Sequence, residues 1–137
     1  MITKMTHVCI YVLNQDSAYE FYTKKLGFKV ITDARMGAVN RWLTVSPPEQ
    51  SDFEMALTPV KEGMMFTKET AKAMTELVKK GTFGFGVFKC KDIFATYEEL
   101  KAKGVEFTKP PKEEFYGIEA LLKDDSVNWF SLVSNRK

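Results

Sequence analysis

The sequence predicts an α+β fold made of two β-α-β-β-β modules within one chain. Three observations carry this. A strand, cap, amphipathic helix and glycine recur, with Asn14 and Asp92 78 positions apart and Gly27 and Gly104 77 apart. Each helix is followed by short strands with turn residues between them. The length of 137 residues is that of about one domain, at ~100–200 residues per domain, and a half of about 60 residues would be marginal alone.

The first copy begins with the apolar stretch Val8-Cys-Ile-Tyr-Val-Leu13. Asn14 or Asp16 supplies the N-cap of a helix whose Ala18, Phe21, Tyr22 and Leu26 share one face, and Gly27 stands at the C′ position. Strands are predicted over Phe28–Ala34, Arg41–Ser46 and Asp52–Thr58, with turns at Met36-Gly37 and Pro47-Pro48. A connecting helix over Thr67–Lys80 has Glu69 in its first turn, an apolar stripe of Ala71, Met74, Leu77 and Val78, and Gly81 beyond its end. Met64-Met65-Phe66 before it reads as core or as a flap over a pocket.

The second copy repeats the plan. Its first strand leads to Asp92 as N-cap, Ile93, Tyr97 and Leu100 form the helical stripe, and Gly104 ends it. Strands follow at Val105–Thr108, Ile118–Lys123 and Asn128–Ser134, punctuated by Pro110-Pro111, Tyr116-Gly117 and the turn 124–128. The expected organisation is one domain, 1–137, with module one at about 5–58, a helical connector at about 64–81 and module two at about 82–134.

Twenty Lys and Arg against eighteen Asp and Glu leave a net charge of +2 with no basic run, which argues against nucleic acid as a partner. The longest apolar stretch is far below the ~20 residues of a membrane-spanning helix, and residues 1–15 lack a signal-type pattern, so no membrane association and a cytoplasmic location are expected. Cys9 and Cys90, read as facing opposite sides of their strands, are expected to be reduced thiols. There is no phosphate loop, paired-cysteine spacing or nucleophile elbow. Gly84 and Gly86 read as positions of close packing.

Phe21-Tyr22-x-x-x-Leu26-Gly27-Phe28 in the first copy and Asp92, Tyr97-Glu98, Leu100 and Gly104-Val105-x-Phe107 in the second resemble the vicinal oxygen chelate superfamily. That superfamily includes the glyoxalases, bleomycin-resistance proteins and extradiol dioxygenases. The resemblance runs from His7 to Leu132 and extends to Trp42-Leu-Thr-Val-Ser-Pro-Pro48 and Tyr116-Gly-Ile-Glu-Ala120, which look like its small glyoxalase-like bacterial branch. It implies curled mixed sheets around a cup-shaped cavity, the glyoxalase/bleomycin resistance fold. One departure lies in the turn 124–128: similar sequences have Gly where Val127 stands, so another turn type is expected.

By the same resemblance, metal ligands would come from His7, Glu54, Phe85 and Ser131. Phe85 has no donor and Ser131 is a poor one for a divalent ion, so no cofactor is expected, the alternative being one divalent metal ion on His7 and Glu54. Strand alternation places His7, Cys9 and Tyr11, and likewise Glu54, on the cup side. His7 reads as a ligand or a wall residue, and Glu54 as a relic, a general base or the partner that fixes the His7 tautomer. Glu119 reads either as a second cavity carboxylate, with one of two pKa values raised towards neutrality, or as an exposed strand-edge residue. Arg41 reads as a clamp for an anionic ligand or as solvent-facing.

The first functional expectation is a small-molecule-binding protein, with His7, Tyr11, Arg41, Glu54, Phe85, Glu119, Trp129 and Ser131 at the ligand and His7 and Glu54 as catalytic candidates. The alternative is a metal-dependent lyase or isomerase of glyoxalase type, acting on an α-oxo or hydroxy-carbonyl substrate. Metal-free acid–base chemistry by His7 with Glu54 is a third. A homodimer is expected, because unpaired first strands invite a two-fold partner.

Overall fold

A computed structural model describes residues 1–37, 40–63 and 65–136. The chain divides into two compact units, Met1–Glu76 and a second that begins at Leu77. In the first, β1 (His7–Val12) leads to α1 (Gln15–Glu20), which continues as a π-helical turn over Phe21–Lys25. β2 (Lys29–Met36), β3 (Asn40–Ser46) and β4 (Glu54–Pro59) follow, and α2 (Lys68–Lys79) runs across the boundary at Glu76. The second unit holds β5 (Gly84–Lys89), α3 (Ile93–Ala102), β6 (Glu106–Glu114), β7 (Gly117–Lys123) and β8 (Trp129–Ser134). The strand orders are β1-β4-β3-β2 and β5-β8-β7-β6, and in each sheet the first strand pairs parallel with the last. These are the two predicted β-α-β-β-β copies.

Local signals explain the helix ends. Asn14, the first of the two proposed caps, accepts from the Ser17 amide at 2.8 Å, while Asp92 accepts from the amides of Phe94 and Ala95. Gly27 and Gly104 adopt φ of 74° and 88°, which glycine reaches without the Cβ clash that other residues meet. Thr67 and Thr70 exchange side-chain and amide hydrogen bonds at the start of α2.

In the first unit, Ile10, Val12, Leu43, Val45, Met55 and Leu57 are buried with Ala18, Phe21 and Tyr22 of the helix. In the second, Leu122, Phe130 and Leu132 are buried with Ile93 and Leu100 of α3, and Phe88 stacks on Phe130 at 4.6 Å between centroids. Arg41 joins α1 to the first sheet: its Nε and Nη2 donate to both Asp33 carboxylate oxygens and its Nη1 to Asp16.

Three expectations change. β6 runs through Pro110 and Pro111 instead of ending at Thr108, which an edge strand tolerates because a missing N–H there need not break a ladder. Its register with β7 shifts between Phe107 and Lys109 and again between Lys109 and Lys112. Met65 is exposed, not core, whereas Phe66 meets Tyr11 edge-on at 5.6 Å; Met64, the remaining member of that triplet, lies outside the described residues. The turn at 124–128 also keeps the glycine-type conformation, with Val127 at φ 60°. Asp124 enforces it by accepting from the Ser126 and Asn128 amides and the Asn128 side chain.

A left-handed conformation costs a residue with a Cβ about 1–2 kcal/mol, and glycine's extra freedom when unfolded returns about 0.5–1 kcal/mol of that. Val127→Gly is therefore expected to stabilise the fold and raise the melting temperature by about 2–4 °C. An unchanged or lower value in calorimetry would show that the Val127 side chain contributes more than its strain costs.

Candidate functional site

Burial of one face of each sheet places the alternate residues on the other face, and each sheet carries some of the candidate side chains there. On β1 and β4, His7 and Glu54 are register partners, and His7 Nε2 lies 3.1 Å from Glu54 Oε2. Thr44, from β3, donates to Glu54 Oε1 at 2.7 Å. Thr6 Oγ1 lies 2.7 Å from His7 Nδ1, so with Nε2–H donating to Glu54, the neutral ring accepts the Thr6 hydroxyl at Nδ1. Trp42 packs beside the imidazole at 5.9 Å between centroids. Tyr11 lies on the same strand face against Phe66.

Arg41 is not with them. It pairs with Asp33 and Asp16 and lies near the Tyr19 ring, and its register places it on the helix-facing side, opposite to Trp42. Its guanidinium, held bidentate by one carboxylate and bonded to a second, is a structural tie rather than an anion clamp or a solvent-facing group. The Asp33 carboxyl is lowered by its hydrogen bonds to Arg41.

The second sheet has a different polar group. Glu119 Oε2 accepts from Ser131 Oγ at 2.6 Å. Glu119 Oε1 accepts from Lys109 Nζ at 2.9 Å and from Tyr116 OH at 2.7 Å. Lys109 also reaches Glu114 at 3.0 Å. Glu119 is not a strand-edge residue, because β7 is an inner strand, and its pKa is not raised: the hydrogen bonds from Ser131, Lys109 and Tyr116 pull the carboxyl down to about 2. A carboxylate so stabilised is a poor base. Its own hydrogen bond to Glu119 in turn raises the Tyr116 phenol.

Trp129 stands two residues before Ser131 on the same face of β8, 39% exposed. Its ring lies over Gly84, where an added Cβ would come within 2.2 Å of the indole. Phe85 departs from its expected place. β5 carries a register shift between Gly84 and Gly86, and the strand partner of Ser131 is Val87. The extra residue reverses the alternation, and the Phe85 ring lies 5.8 Å from Phe83 and 6.5 Å from buried Phe130. Two glycines around one Phe were the available signal for this bulge.

Sequence reasoning missed Thr6, Thr44, Lys109 and Tyr116. Thr44 could have been found by extending the alternation of β3 back from Ser46; Lys109 could not, because β6 shifts register on both sides of it. Among the described residues no three His, Cys, Asp or Glu side chains are grouped to hold a metal ion. Of the four ligand positions implied by the resemblance, His7 and Glu54 carry donors that lie together, each already hydrogen-bonded, and a divalent ion on that pair would rely mostly on water.

The sequence model described as the Glyoxalase/Bleomycin resistance protein/Dioxygenase superfamily matches residues 4–132. YetH of Bacillus subtilis (strain 168), described as uncharacterized, is 36% identical over 132 residues, 96% of this chain and 98% of its own. Among solved structures, UcmS2 is 44% identical with a TM-score of 0.91, covering 97% of this chain and 98% of that one. TnmS3, an antibiotic binding protein from Streptomyces sp. CB03234, is 23% identical with a TM-score of 0.76 and coverage of 98% on both sides.

Glu119 allows a test by pH. Its carboxyl lies at about 2 in the folded protein against an ordinary 4.5, so the unfolded chain binds more protons between these values. Stability from this group is fully present above about 4.5 and is lost as pH falls towards 2. Glu119→Gln is expected to flatten the fall of the urea midpoint across that window; a slope equal to that of the unmodified protein would contradict the assignment.

Proposed function

The chain belongs to the Glyoxalase/Bleomycin resistance protein/Dioxygenase superfamily, and from that premise we propose that it is a binding protein holding a small, partly aromatic molecule without a metal ion. The observation that carries this reading is the half-exposed Trp129 ring lying on Gly84. An indole held on a glycine offers a flat apolar surface to a planar ligand, and stacking adds about 0.5–1.5 kcal/mol beyond the area buried. Val87, on the neighbouring strand, is an exposed apolar residue, as suits a wall awaiting a ligand. The scaffold itself serves an antibiotic binding protein, TnmS3, so ligand sequestration is within its range.

In this reading His7 and Tyr11 are polar and aromatic residues of the first module's open sheet face, and Glu54 holds the His7 tautomer instead of acting as a base. Ser131 and Glu119 are polar partners near the indole. The protein works as a cytoplasmic homodimer, since each four-stranded sheet has two edge strands that a partner would cover.

Two measurements test this. Purified protein is expected to carry well under one equivalent of Zn, Ni, Mn or Fe, and a chelator to leave its melting temperature unchanged; one stoichiometric ion held through His7 and Glu54 would overturn the metal-free reading. In calorimetric titration with 2-naphthol, Trp129→Ala is expected to weaken binding about tenfold. Gly84→Ala, whose methyl group displaces the ring, should do the same. Unchanged affinity in both variants would remove the indole from the site.

A further inference from the structure

We propose that Glu119 sets the hydrogen-bond polarity of the second module's ligand surface, so that it selects planar aromatic molecules carrying a hydrogen-bond donor, such as phenols and aryl amines. This inference rests on the Trp129 surface proposed above and names the ligand class for it. An ionised carboxylate can only accept hydrogen bonds. The single protons of the Ser131 and Tyr116 hydroxyls, 2.6 and 2.7 Å from Glu119 oxygens, are therefore both committed to it. Each hydroxyl has lone pairs remaining and no proton to offer, so a ligand meets two acceptors.

The placement suits one molecule. Ser131 is 5% exposed and forms the floor, while Tyr116 is 53% exposed and forms the rim. Ser131 lies two residues from Trp129 on one strand face, about 7 Å along the strand, a span that a fused bicyclic ring covers while stacked on the indole. The competing pull comes from the remaining N–H of Lys109 and from exposed Lys112, the strand partner of Glu119, both of which favour an anionic ligand. Two carboxylates, Glu114 and Glu119, already share the Lys109 ammonium, and exposed Lys112 brings the four groups only to neutrality, which leaves no net charge to draw another anion.

Three probes separate these possibilities at pH 7: 2-naphthol, 2-methoxynaphthalene and 2-naphthoate, titrated calorimetrically into the unmodified protein. The expected order places 2-naphthol about five- to tenfold tighter than its methyl ether, as one hydrogen bond warrants, with naphthoate weaker than naphthol. In Glu119→Gln the amide N–H donates to one hydroxyl, whose own proton then turns outward, and the naphthol preference is expected to fall within about twofold. Ser131→Ala should lose the preference as well and serves if Glu119→Gln does not fold. Equal binding of naphthol and the ether, with both still weakened in Trp129→Ala, would overturn the polarity rule and leave the aromatic surface standing. Naphthoate binding tightest would overturn it in favour of Lys109, and failure of all three probes would overturn the binding surface along with it.

Discussion

Alternation of side chains across a sheet that buries one face is the constraint on which the rest of this structure depends. Once Ile10, Val12, Leu43, Val45, Met55 and Leu57 are committed to the helix side, strand geometry leaves His7, Tyr11, Trp42, Thr44 and Glu54 on the other face. The His7–Glu54 pair is a direct consequence, because β1 and β4 lie parallel with these two residues in register. A one-residue slip would send both into the core, where an unpaired charge is far costlier than a lost contact.

The same constraint shows why the two modules diverge. In the second, an extra residue between Gly84 and Gly86 moves Phe85 towards the core aromatics and brings Gly84 beside Trp129. One bulge thus takes a side chain off the face that carries Ser131 and leaves room for an indole on Gly84. The polar residue of that face is then Glu119, on β7, with donors from β6, β8 and the hairpin between β6 and β7. It ties three strands together, and a carboxylate with three donors has little basicity left for catalysis.

Charge that looked functional in the first module proves architectural. Arg41 spends its guanidinium on Asp33 and Asp16, linking the start of α1 to the β2–β3 hairpin. The Gln15 side chain adds bonds to the backbone carbonyls of Arg41 and Leu57. Helix α1 is short, and such ties at its first turn orient it over the sheet where propensity alone would not.

The sequence by itself determined the two modules, their caps and terminal glycines, the helix-facing stripes and the alternation of β1 and β4. All of these depend on local chemistry or on an unbroken period of two. Tertiary structure alone decided what happened wherever that period is interrupted or a long side chain reaches across strands. Phe85 turned at a bulge, β6 continued through two prolines because it lies at an edge, and Val127 was forced to φ 60° by the Asp124 bonds around it. Glu119, legible as a candidate, acquired its low pKa from Ser131, Lys109 and Tyr116, the first two 12 and 10 positions away. The physical reason is common to these cases: a residue's own type sets what it can donate, accept or bury, but only the register of neighbouring strands decides which partner it meets.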